Sequence, residues 1–201
     1  AQPAEPFASR DQNPLVAIYG LPLPVNAQLL TAGENHWLTS FNLTNTTNID
    51  STASSDLVVD TETSQLNLSY AYGLADGWML RLQFGFIHHS AGYFDSWIYN
   101  YHDLLGLKQG DRDLVANDQF QIYVSDNNIT LIDLQTTQSG MADTQIQLGY
   151  QLTSNTSSAT SLWMSIKLPT GDSDKLTGSG NTDIALWVAT QQQHNESIWF
   201  H

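Results

Sequence analysis

The stretch His88-His89-Ser90, with Asp95, Tyr101, His102, Asp103, Arg112 and Asp113 beyond it, gathers the side-chain types that hydrolysis uses. A serine hydroxyl becomes a nucleophile when a histidine takes its proton and a carboxylate orients that histidine. Ser90 would then attack, His102 would act as base and Asp103 would steer it, as in a membrane-embedded acyl hydrolase. Adjacency in sequence does not aim His102 and Asp103 at each other, however. Residues 94–107 also fit a short helix with Ile98, Tyr101 and Leu105 on one face, bounded by Gly92 and Gly106. There His102 merely packs and hydrogen-bonds, and the loop carrying Asp95, His102, Arg112 and Asp113 is structural or a plug. That is the expectation, and no catalytic residue is assigned.

Metal binding meets a similar test. His88, His89 and His102 with Asp95 or Asp103 could supply four ligands, but neighbouring residues of a strand point to opposite faces, so His88 and His89 do not readily share an ion. Asp172, Asp174 and Asp183, with Ser173, Ser179 and Asn181, offer oxygens for a weak divalent site, although their spacing is not that of an EF-hand. Pro169, Gly171, Gly178 and Gly180 instead suit the bends of a long hairpin loop. Gly178-Ser179-Gly180 lacks the lysine and the strand-to-helix setting of a phosphate cradle. Neither metal nor cofactor is expected. Arg81, Asp143, Lys167 and Asp183 remain, as a bracing ion-pair network or as a constriction that selects solutes.

The elements that must position these groups are strands. Leu66, Leu68, Tyr70 and Tyr72 alternate with Gln65, Asn67, Ser69 and Ala71. After the turn at 73–77, Trp78, Leu80, Leu82, Phe84 and Phe86 alternate with Met79, Arg81, Gln83 and Gly85. Two further runs behave alike: Thr144, Ile146, Leu148, Tyr150 and Leu152, then Leu162, Met164, Ile166 and Leu168. Period two over such lengths specifies half-buried strands. Weaker runs occupy 35–43, 118–125, 129–135 and 183–190, and a ninth begins near Ile198.

Composition narrows the setting. Only 13% of the 201 residues are charged and the net charge is −14, so there is no basic stripe to neutralise nucleic-acid phosphates. The absence of cysteine excludes thiol catalysis and disulfides. Asn, Gln, Ser and Thr together account for 68 residues, and they fill the polar strand faces where an ordinary wet surface would carry Lys and Glu.

Two architectures fit this pattern. A β-sandwich would bury the apolar faces between sheets, and a secreted glycan-binding module of that kind is the alternative. A transmembrane barrel would turn the apolar faces to lipid and the amide-rich faces to its lumen. Strands of about 9–11 residues match a bilayer crossing. Arg81, Asp143, Lys167 and Asp183 all take the polar parity. Short connections at 73–77, 126–128, 153–159 and 191–197 alternate with long ones at 44–61, 88–117, 136–141 and 169–182. Trp37, Tyr72, Trp78, Phe86 and Tyr150 fall near strand ends, as interface girdles do. The barrel is preferred: an all-β antiparallel meander of about eight strands plus the start of a ninth. Residues 1–34, with Pro14, Pro22 and Pro24, read as an extended strap ahead of a barrel over 35–201. The opening Ala1-Gln2-Pro3-Ala4-Glu5-Pro6 reads as the start left after a signal peptide is removed.

The ordered segments Arg10-Asp11-Gln12-Asn13-Pro14-Leu15, Gly20-Leu21-Pro22, Tyr72-Gly73-Leu74 and Gly77-Trp78 resemble an uncharacterised, domain-of-unknown-function family of Gram-negative outer-membrane β-barrel proteins. The resemblance continues through Gly92, Asp95, Ile98, His102, Gly106-Leu107 and Arg112-Asp113. It ends with Leu168-Pro169-Thr170-Gly171-Asp172, Thr177-Gly178-Ser179-Gly180 and Asp183. It covers roughly residues 7–190, and implies an outer-membrane location, contact with outer-membrane lipid and no known activity. The expected role is structural or a passive, porin-like path for small solutes.

Overall fold

The computed structural model describes residues 6, 11–92, 95–108, 119–194 and 197–200. A four-residue helix, α1 (Pro14–Ala17), precedes β1 (Asn35–Ser51), β2 (Asp56–Ala75) and β3 (Trp78–Ser90). Then come helix α2 (Asp95–Leu105), β4 (Gln121–Asp126), β5 (Ile129–Leu134), β6 (Gln138–Met141), β7 (Thr144–Ser154) and β8 (Ser158–Leu168). A 3-10 turn at Ser173–Lys175 leads to β9 (Asp183–His194) and β10 (Ser197–Phe200). No described helix is long and apolar enough to cross a membrane, a test that does not bear on strands.

All ten strands join one antiparallel sheet, curled into a half-barrel. Its order is not the simple meander expected. β3 pairs with β7 and β6, not with β4. The β4–β5 hairpin instead pairs with the far end of β2, Asp56 to Asp60, beyond the stretch from Glu62 to Ala75 that β3 occupies. The length of β2 explains this. Twenty residues at about 3.3 Å each outrun β3, leaving free backbone that β4 satisfies.

Two expected loops are therefore strands. Residues 44–61 are the paired ends of β1 and β2, in register from Thr44↔Thr63 to Ser51↔Asp56 and closed by a turn at 52–55. Thr44-Asn45-Thr46-Thr47-Asn48 is polar on both faces, so no alternation betrays it. β6 likewise occupies part of 136–141. The segment 88–117 divides into the end of β3 and α2, and Arg112 and Asp113 lie outside the described residues.

The faces sort opposite to a water-soluble sheet. Leu66, Phe84, Phe86, Ile146, Leu162 and Met164 are exposed, and Leu186 is 70% exposed. On the other parity Gln65, Arg81, Gln145, Ser161 and Ser165 are buried, and Gln147 is 0% exposed. On the outward face Trp37 packs on Tyr70 at 4.5 Å and Trp78 on Tyr150 at 4.7 Å. Both pairs sit at the end where the 76–77 turn lies.

What buries the polar, concave face is the segment ahead of β1. Val25, Ala27 and Leu29 pack on Ala71, Met79, Ala159, Trp163 and Ala189. Leu15 and Ile18, around α1, reach the second cluster of Val59, Ile122 and Leu176. Asn13 caps α1 by accepting from the Leu15 amide at 3.0 Å, and Pro14 stands at the first helical position, where its missing N–H costs nothing. The segment thus runs along the inside of the curl from the β4 end to the turn end.

Candidate functional site

The concave face is a bed of amides that grips a backbone. Gln151 accepts from the Leu29 amide at 2.9 Å and donates to Ala27 O at 2.9 Å. Gln191 accepts from the Ala27 amide at 3.1 Å, and Gln145 donates to Gly20 O at 2.7 Å. An extended chain inside a curled sheet has no ladder partner, and these side chains supply one. Near the turn, Gly33 N–H donates to Gly73 O and Gly73 N–H to Glu34 O. A Cβ on Gly73 would stand 2.0 Å from Thr31 O, so only glycine permits this approach.

Three of the four expected inward charges meet, with Asp183 at a half-exposed rim. Lys167 Nζ lies 2.9 Å from Asp143 and 2.7 Å from Asp183, and donates to Ser179 Oγ as well. Asp143 further accepts from the amides of Gly171 and Ser179, each at 2.9 Å. The loop 169–182 is therefore folded onto one carboxylate. Thr170 reinforces it, accepting from the Thr144 amide and donating to Ala142 O. Gly171 and Gly178 come so close that a Cβ on Gly171 would meet the Gly178 Cα at 2.7 Å. The Arg81 guanidinium lies 5.7 Å from the centre of the buried Trp163 indole, a cation–π distance. Trp163 stacks in turn on Trp187 and donates to Ser161 Oγ. It fits because Gly149 lies opposite, where a Cβ would be 2.9 Å from the ring.

Arg81, Gln65, Asn67, Gln83, Gln145 and Asp143 line a cavity of ≈ 40 Å3 beside the strap. That is room for roughly three waters. It is not a bore.

The hydrolytic candidates lie on two elements, the end of β3 and α2. Ser90 is buried at the end of β3, and its carbonyl accepts from Thr61. Within α2, His102 Nδ1 is buried without a hydrogen-bond partner, while Asp103 is exposed. One position round a helix turns a side chain by about 100°, which separates these two neighbours. Asp95 lies in α2, with a side chain outside the described set.

The metal candidates are dispersed as well. His88 bonds Ser139 outward, whereas His89 points inward to Thr63 at 2.8 Å and to Leu176 O at 3.0 Å. Asp172 takes Lys175 at 2.9 Å and caps Asp174, and Asp183 takes Lys167. The hydrogen bond from Lys175 holds the Asp172 carboxyl below its ordinary range. Among the described residues no three His, Asp or Glu side chains gather around a common point.

Sequence reading missed the three gripping glutamines, since nothing in a lone Gln reveals a distant backbone partner. Their parity was a partial signal: Gln145 and Gln151 fall on the face of Arg81 and Lys167. The strap-facing glycine, Gly73, carried none.

No curated protein and no solved structure matches the chain. A family model described as a protein of unknown function, DUF3187, matches residues 2–201, and the chain belongs to that family.

Proposed function

We propose that this chain is wall of a Gram-negative outer-membrane β-barrel, with lipid against the outward face and the N-terminal strap in the lumen. The observation that carries this is the inversion of polarity: Leu186 is 70% exposed while Lys167, one strand away, is 2% exposed. Exposed apolar patches beyond a few hundred Å2 are rare on soluble monomers. The outward face here carries such side chains on β1, β2, β3, β7, β8 and β9 alike. Fully burying each Leu, Ile or Phe contributes about 1.5–3 kcal/mol. A bilayer supplies that burial. It also requires every strand edge to be paired, those of β1 and β10 included.

The role is structural and passive. Among the described residues the strap lies along the lumen side, held there by its apolar side chains and by the hydrogen bonds from Gln145, Gln151 and Gln191. A glycan-binding sandwich would need a second sheet over Leu66 and Phe86, and the single described sheet leaves them open. A lipid hydrolase would need an oriented base, and His102 Nδ1 has no orienting bond.

The test is extraction and reconstitution. The expected protein leaves membranes only with detergent and, inserted into liposomes, passes no trapped solute. High solubility without detergent would overturn the membrane assignment. Solute flux would leave the wall in place and favour the second reading, a path for small solutes along Arg81, Gln83 and Gln145.

A further inference from the structure

We propose that α2 is an interfacial helix that lies on the bilayer surface beside the barrel wall, with its exposed face in the lipid headgroup region. This rests on the membrane reading above and adds a second contact to it. The helix is amphipathic in an unusual division. Trp97, Tyr101, Leu104 and Leu105 fall within an arc of about 100° at 100° per residue, and all four are exposed, Leu104 at 81%. Ile98, Tyr99 and His102 occupy the next arc and are half-buried. Asn100 and Asp103 make the third, polar side. One flank is covered by protein, one meets water, and the apolar flank between them is left open.

Its position follows from chain length. Gly92 packs over Glu62 and Asn45, on the outward parity of β2 and β1. Glu62 stands two outward positions beyond Leu66, where the apolar belt ends. Three residues span at most about 10 Å, so α2 begins at the border of that belt, at the end opposite the Trp78–Tyr150 pair. The border of a hydrocarbon layer is where Trp and Tyr concentrate, and here Trp97 and Tyr101 are stacked at 5.6 Å on the open flank.

The composition chooses the occupant. An eleven-residue helix is about 16 Å long, too short to offer the roughly 800 Å2 per partner of a stable protein interface. Residues 95–105 carry no Lys or Arg, so attraction to anionic groups contributes nothing and insertion rests on apolar area alone. The occupant is the boundary of the lipid layer itself, engaged through apolar area and without charge attraction.

The chain contains no cysteine, so single labels are unambiguous. Leu104→Cys, Asn100→Cys and Phe84→Cys, each exposed or outward, would carry a fluorophore in full-length protein reconstituted into phosphatidylcholine vesicles with or without brominated acyl chains. The expected result is loss of emission for Leu104→Cys and Phe84→Cys, none for Asn100→Cys, and no change with salt. Quenching at position 84 but not at 104 would overturn the interfacial helix and leave the barrel wall standing. Quenching at 104 but not at 84 would support the helix and overturn the wall. Shielding at 104 that depends on protein concentration and not on bromine would mean a second copy covers the helix, and would overturn the proposal.

Discussion

Lys167 Nζ and Asp143 Oδ2 stand 2.9 Å apart, with side chains only 3% and 4% exposed. A pair so shielded contributes little net stability as a pair, because desolvation offsets attraction, but it tolerates no half-removal. Lys167→Met leaves Asp143 buried without its counter-ion, and should destabilise by about 3–5 kcal/mol in denaturant unfolding. Adding Asp143→Asn should restore most of the loss. If the double variant is no better than the single one, the cost lies in the loop, not in the charge.

Gly73→Ala places a methyl group where Thr31 O now sits. Expected is a loss of about 1–3 kcal/mol, and proteolysis of residues 20–34 that is faster than in the wild type while the sheet persists by circular dichroism.

Gln151→Leu keeps the volume of the side chain but removes the partners of the Leu29 amide and Ala27 O. Leaving a buried polar group unpaired costs about 1–3 kcal/mol. Hydrogen exchange at Leu29 should speed up before that at Val25, which holds its place by packing.

Met164→Arg separates lipid from water as the surroundings of the outward face. Met164 lies between Leu148 and Leu186 across the strands. In a bilayer the substitution should cost roughly 2–4 kcal/mol. A surface change in water would stay within about 0.5 kcal/mol. Unfolding from vesicles gives the answer.

The Asp172–Lys175 pair gives a pH signature with a fixed sign. Its hydrogen bond lowers the Asp172 pKa, so the native state binds that proton more weakly than the unfolded chain. The contribution is present above the unfolded carboxylate value, about 3.9, and fades as pH falls through the lower folded value. Amides around 172–178 should lose exchange protection in that acid range, less steeply at high salt, since both side chains are about half exposed.

The strand faces were legible because period two is imposed by backbone geometry. Leu82 against Arg81, or Ile166 against Lys167, shows which parity is apolar. It does not show which parity is outside, and burial was needed to decide that. Thr44 to Asn48 hid their strand since neither face there is apolar. The order of β3 beside β7 was hidden as well, because a chain can carry an inserted hairpin without any local mark. Of the candidate site, parity put Arg81, Asp143 and Lys167 on the face that is buried, while Asp183 on the same parity is half exposed, and it also set His88 and His89 on opposite faces. The contacts between loop 169–182 and Asp143 join positions far apart in sequence, where no periodicity reaches.

Gln145, Gln151 and Gln191 hold peptide groups of the strap, not its side chains. Val25, Ala27 and Leu29 are seated a second time, by their own side chains. The strap is thus moored by two independent means, so cutting one mooring slackens a single stretch and does not cast the whole segment loose.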